Sequence, residues 1–232
     1  MREKKLLFAL LVLILTGTTL FAGDIARFVN LGFSEDSKYF MFGQYGIAEE
    51  NSKPYADIFI VNIPKNNFVK SGIKHFNSQR SANPGDTGEG ALFNLIEEMV
   101  KQKNHFKIDH LNTGRILFLL LNGEKPKEKI EFRDFLSGKS YTIRMIQSTF
   151  GKGKNISSSF YIDVDIVSRK TRTREHYEVG LPNYRRKGVK RYKIRKIIIT
   201  PDQKSLIFVV EKEEIAKSGF NIRYMVEALN TN

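Results

Sequence analysis

Two carboxylates are the first candidates for chemistry. Asp163 and Asp165 stand two residues apart in "SFYIDVDIV", so on a strand they share one face. Such a pair could hold a cation or share a proton. It is also what the solvated face of a half-buried strand carries, and the basic residues that follow predict cross-strand ion pairs. The four histidines are His75, His105, His110 and His176. His105 and His110 are separated by about 140° on a helix and lie on opposite faces of a strand, so they do not meet on one metal. "SGKSY" contains Gly-Lys-Ser, but Arg133 stands where a phosphate-binding loop needs its first glycine. "GDTGEG" precedes a helix whose N-terminus could take an anion, yet it lacks the lysine and the preceding strand. Both read as turns. There is no Gly-x-Ser-x-Gly elbow, no His-Glu-x-x-His and no cysteine, which excludes thiolate catalysis, zinc–thiolate sites and disulfides. The sequence predicts no metal and no cofactor.

The strongest chemical signal is charge. "RKTRTREHYEVGLPNYRRKGVKRYKIRK", residues 169–196, holds twelve Lys and Arg against Glu175 and Glu178. That is +10 of the +13 carried by the whole chain, so the basicity is local and argues for an anionic partner. Alternation predicts two antiparallel strands with outward charge, Arg172 and Arg174 on one, Arg191, Lys193 and Arg195 on the other. "GLPNYRRKG" would be the long turn between them, presenting Arg185, Arg186 and Lys187, with Lys190 just beyond. Tyr177, Tyr184 and Tyr192 would be available for stacking. The plain alternative is a solvated hairpin whose charge blunts a sheet edge.

These residues need a scaffold. The chain has 232 residues, 41% hydrophobic and 12% aromatic, enough for one sizeable core. It opens with Arg2, Lys4 and Lys5, an apolar run from Leu6 to Leu15, and small residues up to Ala22. This predicts a signal peptide over residues 1–22 cleaved after Ala22, the other reading being an uncleaved anchor. The rest, 23–232, reads as a single β-rich domain in the periplasm or outside the cell, with no transmembrane span once the signal is removed. About eleven short antiparallel strands are expected, propeller-like or sandwich-like, among them 55–63, 129–135, "SYTIRMIQ", "SFYIDVDIV", 205–211 and a buried strand in "RILFLLLNG". One α-helix is expected near residues 89–103, with Leu92, Leu95, Ile96 and Met99 on its apolar face and Asp86 or Thr87 at its N-cap.

Two stretches are alike. "FSEDSKYFMF" and "ITPDQKSLIF" align Asp36 with Asp202, Lys38 with Lys204 and Ser34 with Thr200. Each predicts a turn in which Asp accepts backbone N–H groups before a strand begins. They resemble the Ser-Pro-Asp-Gly turn of WD-type β-propeller repeats, without its glycine. Their positions suggest that the two ends of the chain lie close together. The chain as a whole resembles a bacterial family described only as predicted secreted protein, a domain of unknown function. The likeness rests on "GFSEDSKYFMFGQYGI" with "YADIFIVNI", on "VGLPNYRRKGVKRYKI" and on "SGFNIRYMVEAL". It implies export and a β-rich fold, and no chemistry.

The functional expectation is a non-catalytic envelope protein using residues 169–196. Acidic lipid headgroups, a cell-wall polymer or an acidic envelope protein fit as partners, while nucleic acid does not suit an exported chain. The alternative is a hydrolase acting on an anionic envelope polymer through Asp163 and Asp165.

Overall fold

The computed structural model describes residues 23–217 and 219–231; the expected signal peptide lies outside them. Thirteen strands, β1 to β13, form three antiparallel sheets. The first sheet holds β1 (Arg27–Ser34), β2 (Tyr39–Ala48), β3 (Lys53–Asn62), β4 (Asn67–Asn77) and β5 (Ile108–Asp109), in the order β4-β3-β2-β1-β5. The central sheet holds β6 (Arg115–Leu119), β11 (Val189–Ile199), β12 (Ser205–Ala216) and β13 (Gly219–Asn230), in the order β13-β12-β11-β6. The third holds β7 (Lys129–Arg133), β8 (Lys139–Phe150), β9 (Ser157–Ser168) and β10 (Thr173–Lys187), in the order β10-β9-β8-β7.

The side chains decide how the sheets stack. On β12, Leu206, Phe208 and Val210 pack with Tyr141, Ile143, Phe160 and Ile162 of the third sheet. The alternate residues Ile207 and Val209 pack with Phe33, Phe40, Phe42 and Val61 of the first. The opposite face of the first sheet, carrying Met41, Ile58 and Ile60, takes the helix through Leu92, Leu95 and Met99. The molecule is therefore helix, sheet, sheet, sheet. Of the two architectures open to the sequence, this face-to-face stack is sandwich-like. It explains which strands alternate. The first half of β12 is buried on both faces and reads as an uninterrupted apolar run from Leu206 to Val210, whereas β9 has one wet face and alternates strictly between Phe160 and Ile166.

Several expectations change. Thirteen strands replace about eleven, the additions including the two-residue β5. The helix is two, α1 (Glu89–Glu98) and α2 (Val100–His105), broken at Met99. Its N-cap is Gly88 in the left-handed region (φ 79°), without a side-chain cap, because the backbone there presses on Gly46. β6 is a half-buried edge strand with Ile116 and Leu119 exposed, not a buried one. Arg115 on that strand makes a bidentate pair with Asp134 (2.8 and 2.9 Å), which follows β7 and also accepts from Ser137 Oγ and the backbone N–H of Leu136. This pair ties an edge of the central sheet to an edge of the third.

The two similar turns prove equivalent. Asp36 Oδ1 accepts the N–H of Lys38 (3.1 Å), and Asp202 Oδ1 that of Lys204 (3.1 Å). Ser34 and Thr200 hydroxyls donate to those carboxylates and accept the N–H groups of Tyr39 and Ser205. The chain ends also meet, through a parallel bridge between Ile25 and Ile222 and the pairing of Arg223 with Asp24. β13 is an edge strand. Its outward N–H groups at Ile222, Tyr224 and Ala228 are taken by Asp24 O, Gln44 Oε1 and Asn66 Oδ1.

Candidate functional site

Residues 169–196 do not form one hairpin. β10 pairs with β9 in the third sheet, and β11 lies between β12 and β6 in the central sheet. The expected turn "GLPNYRRKG" is mostly strand: β10 bulges between Leu181 and Arg186, then pairs Arg186 with Ser158 and Lys187 with Ser157. The chain crosses from one sheet to the other at Gly188, whose φ of 75° is open to glycine at no cost. The reason is hydrophobic. Val179 of β10, and Val189, Tyr192 and Ile194 of β11, all belong to the core between those two sheets, so the strands must face each other rather than lie side by side.

This splits the nine candidate cations into three groups. Arg172 sits in the β9–β10 turn (φ 56°), and Arg174 follows on the wet face of β10, 3.6 Å from Asp165. Arg191, Lys193 and Arg195 share a face, as alternation predicts, but two acids on β12 pair with them. Arg191 pairs with Glu213, and Lys193 and Arg195 both reach Glu211 at 2.6 and 3.2 Å. Glu211 and Glu213 are buried. The signal for this pairing was present in "EKEE" of the next strand, whose alternate acids stand in register with Arg191 and Lys193. Beside them Lys196 lies over Phe28, and burial, with the Arg195 charge, pushes its ammonium down.

The third group lies where β10 crosses to β11. Arg185, Lys187 and Lys190 are exposed and make no ion pair. Arg185 stacks on Phe150 with its guanidinium 3.7 Å from the ring centroid, and Lys190 lies 4.2 Å from that of Phe220. The β8–β9 loop comes to the same place, since Gly188 N–H donates to Ile156 O and Thr149 Oγ1 to Lys190 O. It brings Lys152 and Lys154, both exposed and unpaired. In the sequence "GKGKN" is only a short stretch of Gly, Lys and Asn between two alternating runs, and nothing in it shows which distant segment it approaches. Arg186, between Arg185 and Lys187, points the other way, toward β13. There its Nη2 is 3.9 Å from Glu227. Burial pushes the Glu227 carboxyl up, against the hydrogen bond from Asn66 and the Arg186 charge.

Asp163 and Asp165 share the wet face of β9 as expected and are held by Arg144 and His176. Arg144 Nη1 is 3.1 Å from Asp163 and 3.8 Å from Asp165, and His176 Nδ1 is 3.3 Å from an oxygen of each. His75 pairs with Asp57, and His110 Nδ1 lies 2.6 Å from Leu31 O. Among the described residues, no group of three or more His, Asp and Glu could hold a metal ion. None of the helices among them is long and apolar enough to cross a membrane.

With this geometry in hand, comparison with known proteins gives the family. The model of a family described as predicted secreted protein (DUF2259) matches residues 41–230, most of the chain. The chain belongs to that family. The matched span opens inside β2 and takes in both the β10–β11 crossing and β13. The first of the two similar turns, Ser34 to Lys38, precedes it. No curated protein matches the sequence.

Proposed function

We propose that this predicted secreted protein is an exported, non-catalytic envelope component that binds an anionic surface through the β10–β11 crossing. One observation carries the reading. Arg185, Lys187 and Lys190 converge with Lys152 and Lys154 from a separate loop, all exposed and without an ion pair among the described residues, while Arg191, Lys193 and Arg195 are paired with Glu213 and Glu211. The partner class is acidic headgroups or an anionic cell-wall polymer, read by charge and not by shape. Arg172 and Arg174 sit at the start of the long β10, away from this cluster, and form a second contact.

Cations near an anionic membrane contribute about 1 kcal/mol each, so engagement of three would raise affinity by roughly two powers of ten. The test is sedimentation with vesicles containing an acidic phospholipid at physiological salt, where exposed charges are screened within about 8 Å. Wild-type protein should pellet, and a variant with Gln at 152, 154, 185, 187 and 190 should stay in solution with its melting temperature unchanged. Equal pelleting of the two proteins refutes the reading.

A further inference from the structure

A groove of about 730 Å³ runs along the outer edge of β13, walled by β3 and β4 of the first sheet and by the bulged part of β10. Its size is that of sites for small organic molecules. Three large apolar side chains that would otherwise be misplaced on the surface converge there: Phe68 (37% exposed), Leu181 (57%) and Tyr184 (58%). Phe59 and Tyr224 continue the apolar lining.

The charges in the groove are mostly spent. Asp57 accepts from Gln44 and pairs with His75, Lys212 pairs with Glu214, and Arg223 with Asp24. Arg186 is different. Its guanidinium is sandwiched among the rings of Phe160, Tyr184 and Tyr192, with centroids 5.3, 5.0 and 5.9 Å away. Its Nη1 is buried and has no hydrogen-bond partner in the protein. Glu227, its nearest acid, stays 3.9 Å off, outside hydrogen-bond range, and is itself engaged by Asn66 Nδ2 at 2.6 Å. A guanidinium in a fixed place with unused donors, beside an apolar wall, lacks one thing: an oxyanion attached to an apolar body.

We propose that this groove binds a small amphipathic anion, its carboxylate or phosphate on Arg186 and its apolar portion against Phe68, Leu181 and Tyr184. The headgroup takes charge-assisted hydrogen bonds from the accessible edge of the Arg186 guanidinium, and the body covers side chains now facing water. The site uses neither Lys152, Lys154 nor the exposed cations of the crossing, so it is independent of the surface described above.

Isothermal titration with decanoate and with decyl phosphate tests this. Both should bind at one site per chain. Decylamine should not bind, and inorganic phosphate alone should be at least tenfold weaker than decyl phosphate. Arg186→Gln should weaken both anions about tenfold and leave decanol unchanged, while Phe68→Ala should weaken decanol as well. If Arg186→Gln melts too low for titration, Tyr184→Ala on the exposed rim tests the apolar wall. The preference for decanoate over decylamine then tests the charge in the wild-type protein. Decylamine binding as tightly as decanoate, no binding of either anion, or undiminished affinity in a folded Arg186→Gln overturns the proposal. The variant with Gln at 152, 154, 185, 187 and 190 should keep its affinity for decanoate, which separates failure of this site from failure of the surface.

Discussion

Asp134→Asn should destabilise the protein at neutral pH and remove one particular part of its acid sensitivity. Burial opposes ionisation of Asp134, but the two Arg115 hydrogen bonds, the Ser137 hydroxyl and the Leu136 N–H outweigh it and bring the carboxyl down to about 2 from 3.8. By linkage, that difference corresponds to roughly 2.5 kcal/mol of stability at pH 7. The Asp134 side chain is 2% exposed but its partner Arg115 is 36% exposed, and solvent screening of the guanidinium reduces the expectation to about 1–2 kcal/mol. Because the folded carboxyl titrates below the unfolded one, this stability is fully present above about pH 4. It is lost as pH falls toward 2. Urea denaturation followed by far-UV circular dichroism, at steps from pH 7 to pH 2, gives the measurement. The wild-type midpoint should exceed that of Asp134→Asn at pH 7, and the two should converge between pH 4 and 2. Equal midpoints at pH 7, or a constant gap down to pH 2, would refute the claim that this pair ties the central and third sheets through charge.

Asp36→Ala and Asp202→Ala should lower the denaturation midpoint by similar amounts, on the order of 1 kcal/mol each, since each removes one backbone acceptor from the same turn. Gln203→Gly should raise the thermal midpoint, because Gln203 holds a φ of 61° where glycine is unstrained; an unchanged or lower midpoint would count against strain at that position. Arg144→Ala, by contrast, should cost under about 1 kcal/mol in the same assay, as its pairs with Asp163 and Asp165 lie on a wet sheet face. Gln44→Ala should cost about 1–3 kcal/mol, because it leaves the Tyr224 N–H and an Asp57 oxygen without their partner, and hydrogen exchange at Tyr224 should speed up.

The sequence disclosed what depends on neighbours along the chain. Alternation in β9 located the wet face that carries Asp163 and Asp165, and spacing in 92–99 located the helical face that docks on the first sheet. The two Asp turns were legible because their hydrogen bonds span only a few residues. What escaped was pairing at a distance. A basic strand beside a basic strand looks like a ribbon until one knows that both contribute apolar residues to the same core and so belong to opposing sheets. The neutralisation of Arg191 and Lys193 depended on the register of β11 against β12. The approach of Lys152 and Lys154 to the crossing depended on a loop contact about thirty residues away in sequence, a separation no local pattern encodes.

The guarding of β13 bears on how the chain avoids sticking to its own copies. An edge strand of twelve residues is a template on which another chain can extend a sheet. Here three of the outward donors are occupied by groups that come from early in the chain: Asp24, Gln44 and Asn66 precede their partners by 198, 180 and 162 positions. Synthesis runs from the N-terminus, and domains acquire structure in that direction. The groups that close the hazardous edge are therefore made before β13 is, and pairing of the first sheet with the central one brings them to it. Damage to the first sheet would thus expose a self-association edge on the central sheet, turning a local folding defect into an intermolecular one.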